Sequence, residues 1–180
     1  VTDSPLEKSG VFLFMENFTA SSCEKAIRFV LEKNLTKGDE RPKSLTFVIN
    51  SPGGSVPDCF ALIDTIKGSK IPVHTVGLGS IASCGLLLFI SGKPGHRVIT
   101  PNTSILSHQY SWGQFGKEHE LFATMREFSL LQHRIMEHYK KCTGLKEKVI
   151  QEKLLPPEDV WLDSKEAVKL GLADKIVTTY

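Results

Sequence analysis

The stretch Gly79-Ser80-Ile81-Ala82-Ser83-Cys84-Gly85 sets a serine among small residues where an apolar strand pattern gives way to an apolar helical one. A junction of this kind can expose a serine Oγ on a sharp strand-to-helix turn, as in a nucleophile elbow. The elbow pattern G-x-S-x-G is half met, because Gly85 fits but position 81 is Ile. The competing role is a serine that caps a buried helix. As a nucleophile, a serine hydroxyl needs a base at neutral pH, usually an imidazole. Of six histidines, His108 ends the strand-like run Ser104–Ser107. His96 sits among Lys and Arg and reads as a surface residue. His119, His133 and His138 fall on a long helical pattern and read as solvated, and His74 alternates within a strand. A triad also needs a carboxylate to fix the imidazole tautomer, and Asp159, Asp163 and Asp174 are the late candidates. Asp163 suits a helix cap and Asp174 a turn. Asp159 follows Pro-Pro-Glu with no evident structural task, and spacing alone does not choose among the three.

A second feature is Ser51-Pro52-Gly53-Gly54-Ser55, between a strand pattern and a helix pattern. Glycines there leave backbone N–H groups uncovered, which can bind an oxyanion or a phosphate near a helix start; a plain tight turn is the alternative. The phosphate-loop pattern G-x-x-x-x-G-K-[ST] is absent. No H-E-x-x-H and no Cys/His cluster with ligand spacing occurs, so neither a metal nor a cofactor is expected.

These residues must be held by a chain of 180 residues, which suits one domain spanning 1–180. A net charge of +2, with no long run of like charge, argues against nucleic acid as a partner. The longest apolar run, Leu86 to Ile90, is too short to cross a bilayer. The four cysteines are scattered without a C-x-x-C pair, and no leader-like apolar segment opens the chain. A reducing, cytoplasmic setting is the simpler expectation, with an organelle or a host cytosol as variants.

Residues 1–9 are polar and aperiodic and are expected to be a loose arm. Strands are predicted at 11–15, 44–50, 71–78, 96–99, 104–108 and 175–178, and helices at 21–33, 57–67, 82–89, 145–154 and 163–170. Ser21-x-x-Glu24 reads as a capping box, with Ala26, Ile27, Val30 and Leu31 facing inward. The longest helix, 117–141, carries a stripe of Leu121, Met125, Phe128, Leu131, Ile135 and Tyr139. It is too long to lie wholly on a small sheet, so its end should project as an assembly element. Alternating strands and helices imply an α/β domain with a largely parallel sheet.

Together these segments resemble the Clp protease proteolytic-subunit family. Ile49-Asn50-Ser51-Pro52-Gly53-Gly54-Ser55-Val56 is similar to its oxyanion-strand motif, and Ala82-Ser83-Cys84-Gly85 to its Ala-Ser-Met-Gly nucleophile segment. Pro101 to Gln109 resembles its Pro-Asn-Ser…His-Gln motif. Asp159-Val160-Trp161-Leu162 with Glu166-Ala167…Gly171-Leu172-Ala173-Asp174 resembles its ending, and that picks Asp159 as the acid. The resemblance runs from about Ser44 to Val177. It implies a crotonase-like ββα superhelix with 117–141 as a projecting handle helix. It implies Ser83 as nucleophile, His108 as base, and the backbone N–H groups of Gly54 and Cys84 as the oxyanion hole. The stretch Gly113–Gly116 would flank a bound peptide. The implied activity is serine-type endopeptidase action on unfolded polypeptides inside a homo-oligomer of stacked seven-membered rings, or a mixed ring, fed by a Clp-type ATPase.

Departures from the family pattern are informative. The first 43 residues match poorly. Thr46 and Val48 replace usual aromatics of the ATPase-docking pocket, and Glu158 replaces an arginine that links rings. Gly79-Ser80-Ile81 replaces Gly-Gln-Ala, and Tyr110 replaces a proline. This is the pattern of a divergent member. The rival expectation is a non-catalytic ring subunit that co-assembles with an active partner, although such a chain would be expected to lose a triad residue. An acyl-CoA enzyme of the same fold needs no such triad. A signal-peptide peptidase would use a lysine base, and no lysine here is placed by a matching motif.

Overall fold

The computed structural model describes residues 4–111, 113 and 115–180. Seven helices and seven strands are formed among the described residues, in an α/β arrangement. The central strands are β1 (Val11–Phe14), β2 (Leu45–Ser51), β3 (Val73–Ala82), β4 (Arg97–Ile99) and β7 (Lys175–Ile176), all parallel and in the order β1-β2-β3-β4-β7. β3 is long enough for two partners on one side: Thr75–Gly77 pair with β4, and Ser80–Ala82 pair with β5 (Ser104–Ser107). β6 (Val160–Leu162) adds to β5 in the antiparallel sense. The parallel strands β2 and β3 bury Leu45, Phe47, Ile49, Val73 and Ile81 on one face, while the alternate residues Thr46, Val48, His74, Val76 and Leu78 line a groove on the other.

The covering helices are α2 (Ala20–Leu35), α3 (Val56–Gly68), α4 (Cys84–Ile90), α5 (Glu118–Thr143), α6 (Glu147–Lys153) and α7 (Ser164–Lys169). All seven residues of α4 are buried, so it runs through the core rather than over it. The N-cap of helix α2 lies two residues earlier than expected: Thr19 and Ser22 make the capping box, not Ser21 and Glu24. Its inner face is Cys23, Ala26, Phe29 and Val30, while Leu31 is exposed. Pro5–Lys8 form a short helix (α1) capped by Ser4, so that part of the predicted arm is structured; residues 1–3 of the arm lie outside the described residues.

Helix α5 is the predicted long helix. Only its second half packs: Leu131, Ile135, His138 and Tyr139 are buried, while Leu121, Phe122 and Met125 stand exposed. Its C-terminal end is tied to the sheet by Arg97, which donates Nη1 to Cys142 O (2.8 Å) and grips Asp174 through Nε (3.0 Å) and Nη2 (2.7 Å). Burial alone would raise the Asp174 carboxyl, but the hydrogen bonds and charge of Arg97 outweigh it and hold the carboxyl below its ordinary value.

Candidate active site

Three strands deliver residues to one end of the sheet. Gly53 and Gly54 follow β2, Ser83 follows β3, and His108 follows β5. These strands are neighbours and parallel, so their carboxyl ends lie side by side.

Ser83 stands between β3 and α4 with φ 54° and ψ −118°, the one non-glycine residue with positive φ among the described residues. This is the strained elbow that the half-met sequence pattern only suggested. Ser83 N donates to Leu106 O at 2.9 Å, which locks the elbow to β5. The Ser83 side chain makes no capping bond to α4, so the competing role as a helix cap is not the one it plays.

Gly54 forms a parallel bridge with Phe18, in which Phe18 N donates to Gly53 O and Ser55 N donates to Phe18 O. The N–H and C=O of Gly54 itself therefore face the opposite way. The carbonyl accepts a hydrogen bond from Cys84 Sγ at 3.3 Å. The backbone explains the glycines: a Cβ on Gly54 (φ 146°) would lie 2.4 Å from Phe18 O, and one on Gly53 (φ 103°) 2.7 Å from Ser83 Cβ. Cys84 is the first residue of α4, where a helix has no internal acceptor for its N–H groups. Among the described residues, neither the Gly54 nor the Cys84 N–H is bonded to a backbone carbonyl; after the Cys59 thiol, these N–H groups are among the neighbours that hold the Cys84 thiol below its ordinary value. The Cys59 thiol, pushed well up by burial, donates to Cys84 O at 3.5 Å.

The acid reaches its place through strand register. Antiparallel β5 and β6 pair Ile105 with Leu162, Leu106 with Trp161, and Ser107 with Val160. The next pair outward sets His108 opposite Asp159, and His108 Nδ1 lies 3.6 Å from Asp159 Oδ1. Asp163 instead caps α7, accepting from Lys165 N and Glu166 N, and Asp174 is held by Arg97. Among the three late aspartates, Asp159 is thus the one beside an imidazole.

Ser83 and His108 line one small recess with Val56, Leu87, Tyr110, Ile135 and Tyr139, whose walls are apolar apart from the phenols. No hydrogen bond joins Ser83 Oγ to His108 in this single chain. The stretch Gly113–Gly116 falls partly outside the described residues, at Gln114; Gly113, Phe115 and Gly116 belong to neither helix nor strand. A larger groove of about 700 Å³ is lined by other residues, including Leu13, Met15, Thr46, Val48, His74 and Val98. No group of three or more metal-ligating side chains occurs among the described residues.

Two features escaped the sequence reading. His138, expected to be solvated, is 2% exposed and contacts Leu87 O through Nε2 at 2.8 Å and Lys67 Nζ through Nδ1 at 3.2 Å. Ser107, beside His108, is buried and bonded to Tyr139 and Leu154.

Comparison with known proteins adds an independent finding. The Clp protease family matches residues 6–180, so the likeness begins well before Ser44 and takes in residues 6–43, where the sequence motifs match poorly. The ATP-dependent Clp protease proteolytic subunit 1 of Chlamydia muridarum is 35% identical over 182 residues, covering 100% of this chain and 92% of its own length. Its counterpart from Chlamydia abortus is 36% identical over 169 residues, covering 93% and 85%. That from Chlamydia pneumoniae is 36% identical over 177 residues, covering 97% and 90%.

Proposed function

The chain belongs to the Clp protease family, and from that membership we propose that it is a serine-type endopeptidase of unfolded polypeptides, working through an acyl-enzyme on Ser83. The observation that carries the reading is the convergence of the Ser83 elbow, the His108–Asp159 pair and two N–H groups without a backbone acceptor at one end of the sheet. With Nδ1 turned to Asp159, the ring presents Nε2 to the nucleophile. Ser83 Oγ attacks the peptide carbonyl carbon and passes its proton to Nε2. The oxyanion takes the Gly54 and Cys84 N–H bonds, and Asp159 stabilises the imidazolium. Collapse expels the amine, which receives the proton from His108. Water then repeats the sequence to release the acid. The recess is about 20 Å³ and apolar-walled, so a hydrophobic side chain at the scissile bond would enter only as it widens.

The exposed Leu121, Phe122 and Met125 on the free half of α5 support assembly with further copies or with a related subunit, as heptameric rings stacked in pairs. The apolar groove lined by Leu13, Met15 and Val48 supports docking of a Clp-type ATPase, even without aromatics at 46 and 48. A cytoplasmic location is part of this proposal; no helix among the described residues is long and apolar enough to cross a membrane. We read 1–180 as one peptidase domain with no cofactor. The missing Ser83–His108 hydrogen bond favours a second reading, in which the chain is an accessory subunit of a mixed ring. Apo geometry alone does not exclude activity, because such bonds often tighten only with substrate. The test is hydrolysis of unfolded casein by the assembled protein, alone and mixed with a catalytically competent relative. Cleavage by the chain alone supports the first reading. Cleavage only in mixtures, unchanged by Ser83→Ala, supports the second.

A further inference from the structure

Three hydrogen bonds hold the residues on either side of His108. Ser107 Oγ lies 2.9 Å from Tyr139 Oη and also bonds Leu154 O, while Gln109 Nε2 donates to Leu155 O at 3.0 Å. Proton counting fixes the direction of the first two. Leu154 O can only accept, so the single Ser107 hydroxyl proton goes there, and Tyr139 must donate to Ser107 Oγ. Tyr139 is 2% exposed, and burial raises its phenol so that it stays protonated and able to donate. The resulting chain runs from the Tyr139 hydroxyl through Ser107 to the end of α6. It is buried throughout, where the loss of one partner is felt most. Tyr139 also lies on the packed half of α5 and lines the recess that holds Ser83 and His108.

We infer that Tyr139 is a positioning residue for His108: its hydroxyl, acting through Ser107, holds the end of β5 so that the imidazole stands between Ser83 and Asp159, and so links the long helix to the base. The inference rests on the proposed peptidase function. Tyr139→Phe keeps the ring and removes only the donor. It should lower the kcat for a fluorogenic peptide, and the rate of labelling by a fluorophosphonate, about tenfold, with KM changed less than twofold. Ser107→Ala should do at least as much. The double variant should be no worse than Ser107→Ala, because two groups acting through one path are not additive. Gln109→Ala, which leaves the Tyr139–Ser107 bond intact, serves as a comparison for general loosening of the segment. Wild-type kcat in Tyr139→Phe, or multiplied effects in the double variant, would overturn the positioning role while leaving the peptidase reading intact. A wild-type protein that never labels at Ser83 would overturn both. Equal losses in kcat and thermal stability that appear also in Gln109→Ala would reduce Tyr139 to a packing residue and so overturn the inference as well.

Discussion

His108 Nδ1 faces Asp159 Oδ1 at 3.6 Å because β5 and β6 pair Ser107 with Val160, which leaves His108 and Asp159 as the next residues across the ladder. The contact is a consequence of register: a slip of β6 by one residue would turn Asp159 to the face away from His108.

Asp159→Asn keeps the shape of this pair and removes its charge. On the proposed mechanism the imidazole then loses the partner that selects its tautomer and stabilises its charged form. We expect kcat to fall by at least about 100-fold, with KM little changed and the fold intact. Peptide hydrolysis with near-UV circular dichroism as the folding check would measure it.

Gly54→Ala places a Cβ against Phe18 O and demands a φ that alanine rarely adopts. The bridge to Phe18 must shift, and the Gly54 N–H moves with it. On the proposed mechanism this removes one oxyanion donor, a loss of roughly 100-fold or more in kcat. Steady-state kinetics beside a thermal melt should show a kcat loss larger than the melting shift accounts for.

Asp174→Asn breaks the pair with Arg97, whose side chain is 7% exposed. A buried cation left without its carboxylate should destabilise the fold by about 3 kcal/mol. The folded-state carboxyl is depressed, so its contribution is present above the ordinary aspartate value of about 4 and fades as pH falls below that. Urea unfolding of both proteins at neutral pH and below about pH 4 should show the difference shrinking with acid.

His138 follows the opposite chemistry in the same direction. Burial lowers it to about 4, and Lys67 alongside adds to the cost of a second positive charge. The unfolded chain takes up the proton first, near pH 6.5, so stability is full above that value and is lost as pH falls toward 4. The loss amounts to about 3 kcal/mol. His138→Gln should flatten this part of the pH profile of urea unfolding.

Much of this architecture is legible in the chain. β2 and β3 announce themselves through β-branched and aromatic runs, and the motifs around Gly54, Ser83 and His108 sit at strand ends, where a parallel sheet collects its sites. Asp159 was chosen by resemblance and not by physics, because β6 is three residues long and too short to read as a strand. Helical periodicity correctly put Leu121, Met125 and Ile135 on one stripe, but periodicity says which residues share a face and not whether anything covers it; only Ile135 of these is buried. The same limit hid His138, whose burial depends on α4 and Lys67 packing from distant parts of the sequence.

Reaction of the assembled protein with a fluorophosphonate, read by intact mass, tests the central claim most directly. The account predicts a single adduct on the wild type, absent from both Ser83→Ala and His108→Ala. An adduct that persists in Ser83→Ala, or no adduct on a stable wild-type ring, would contradict it.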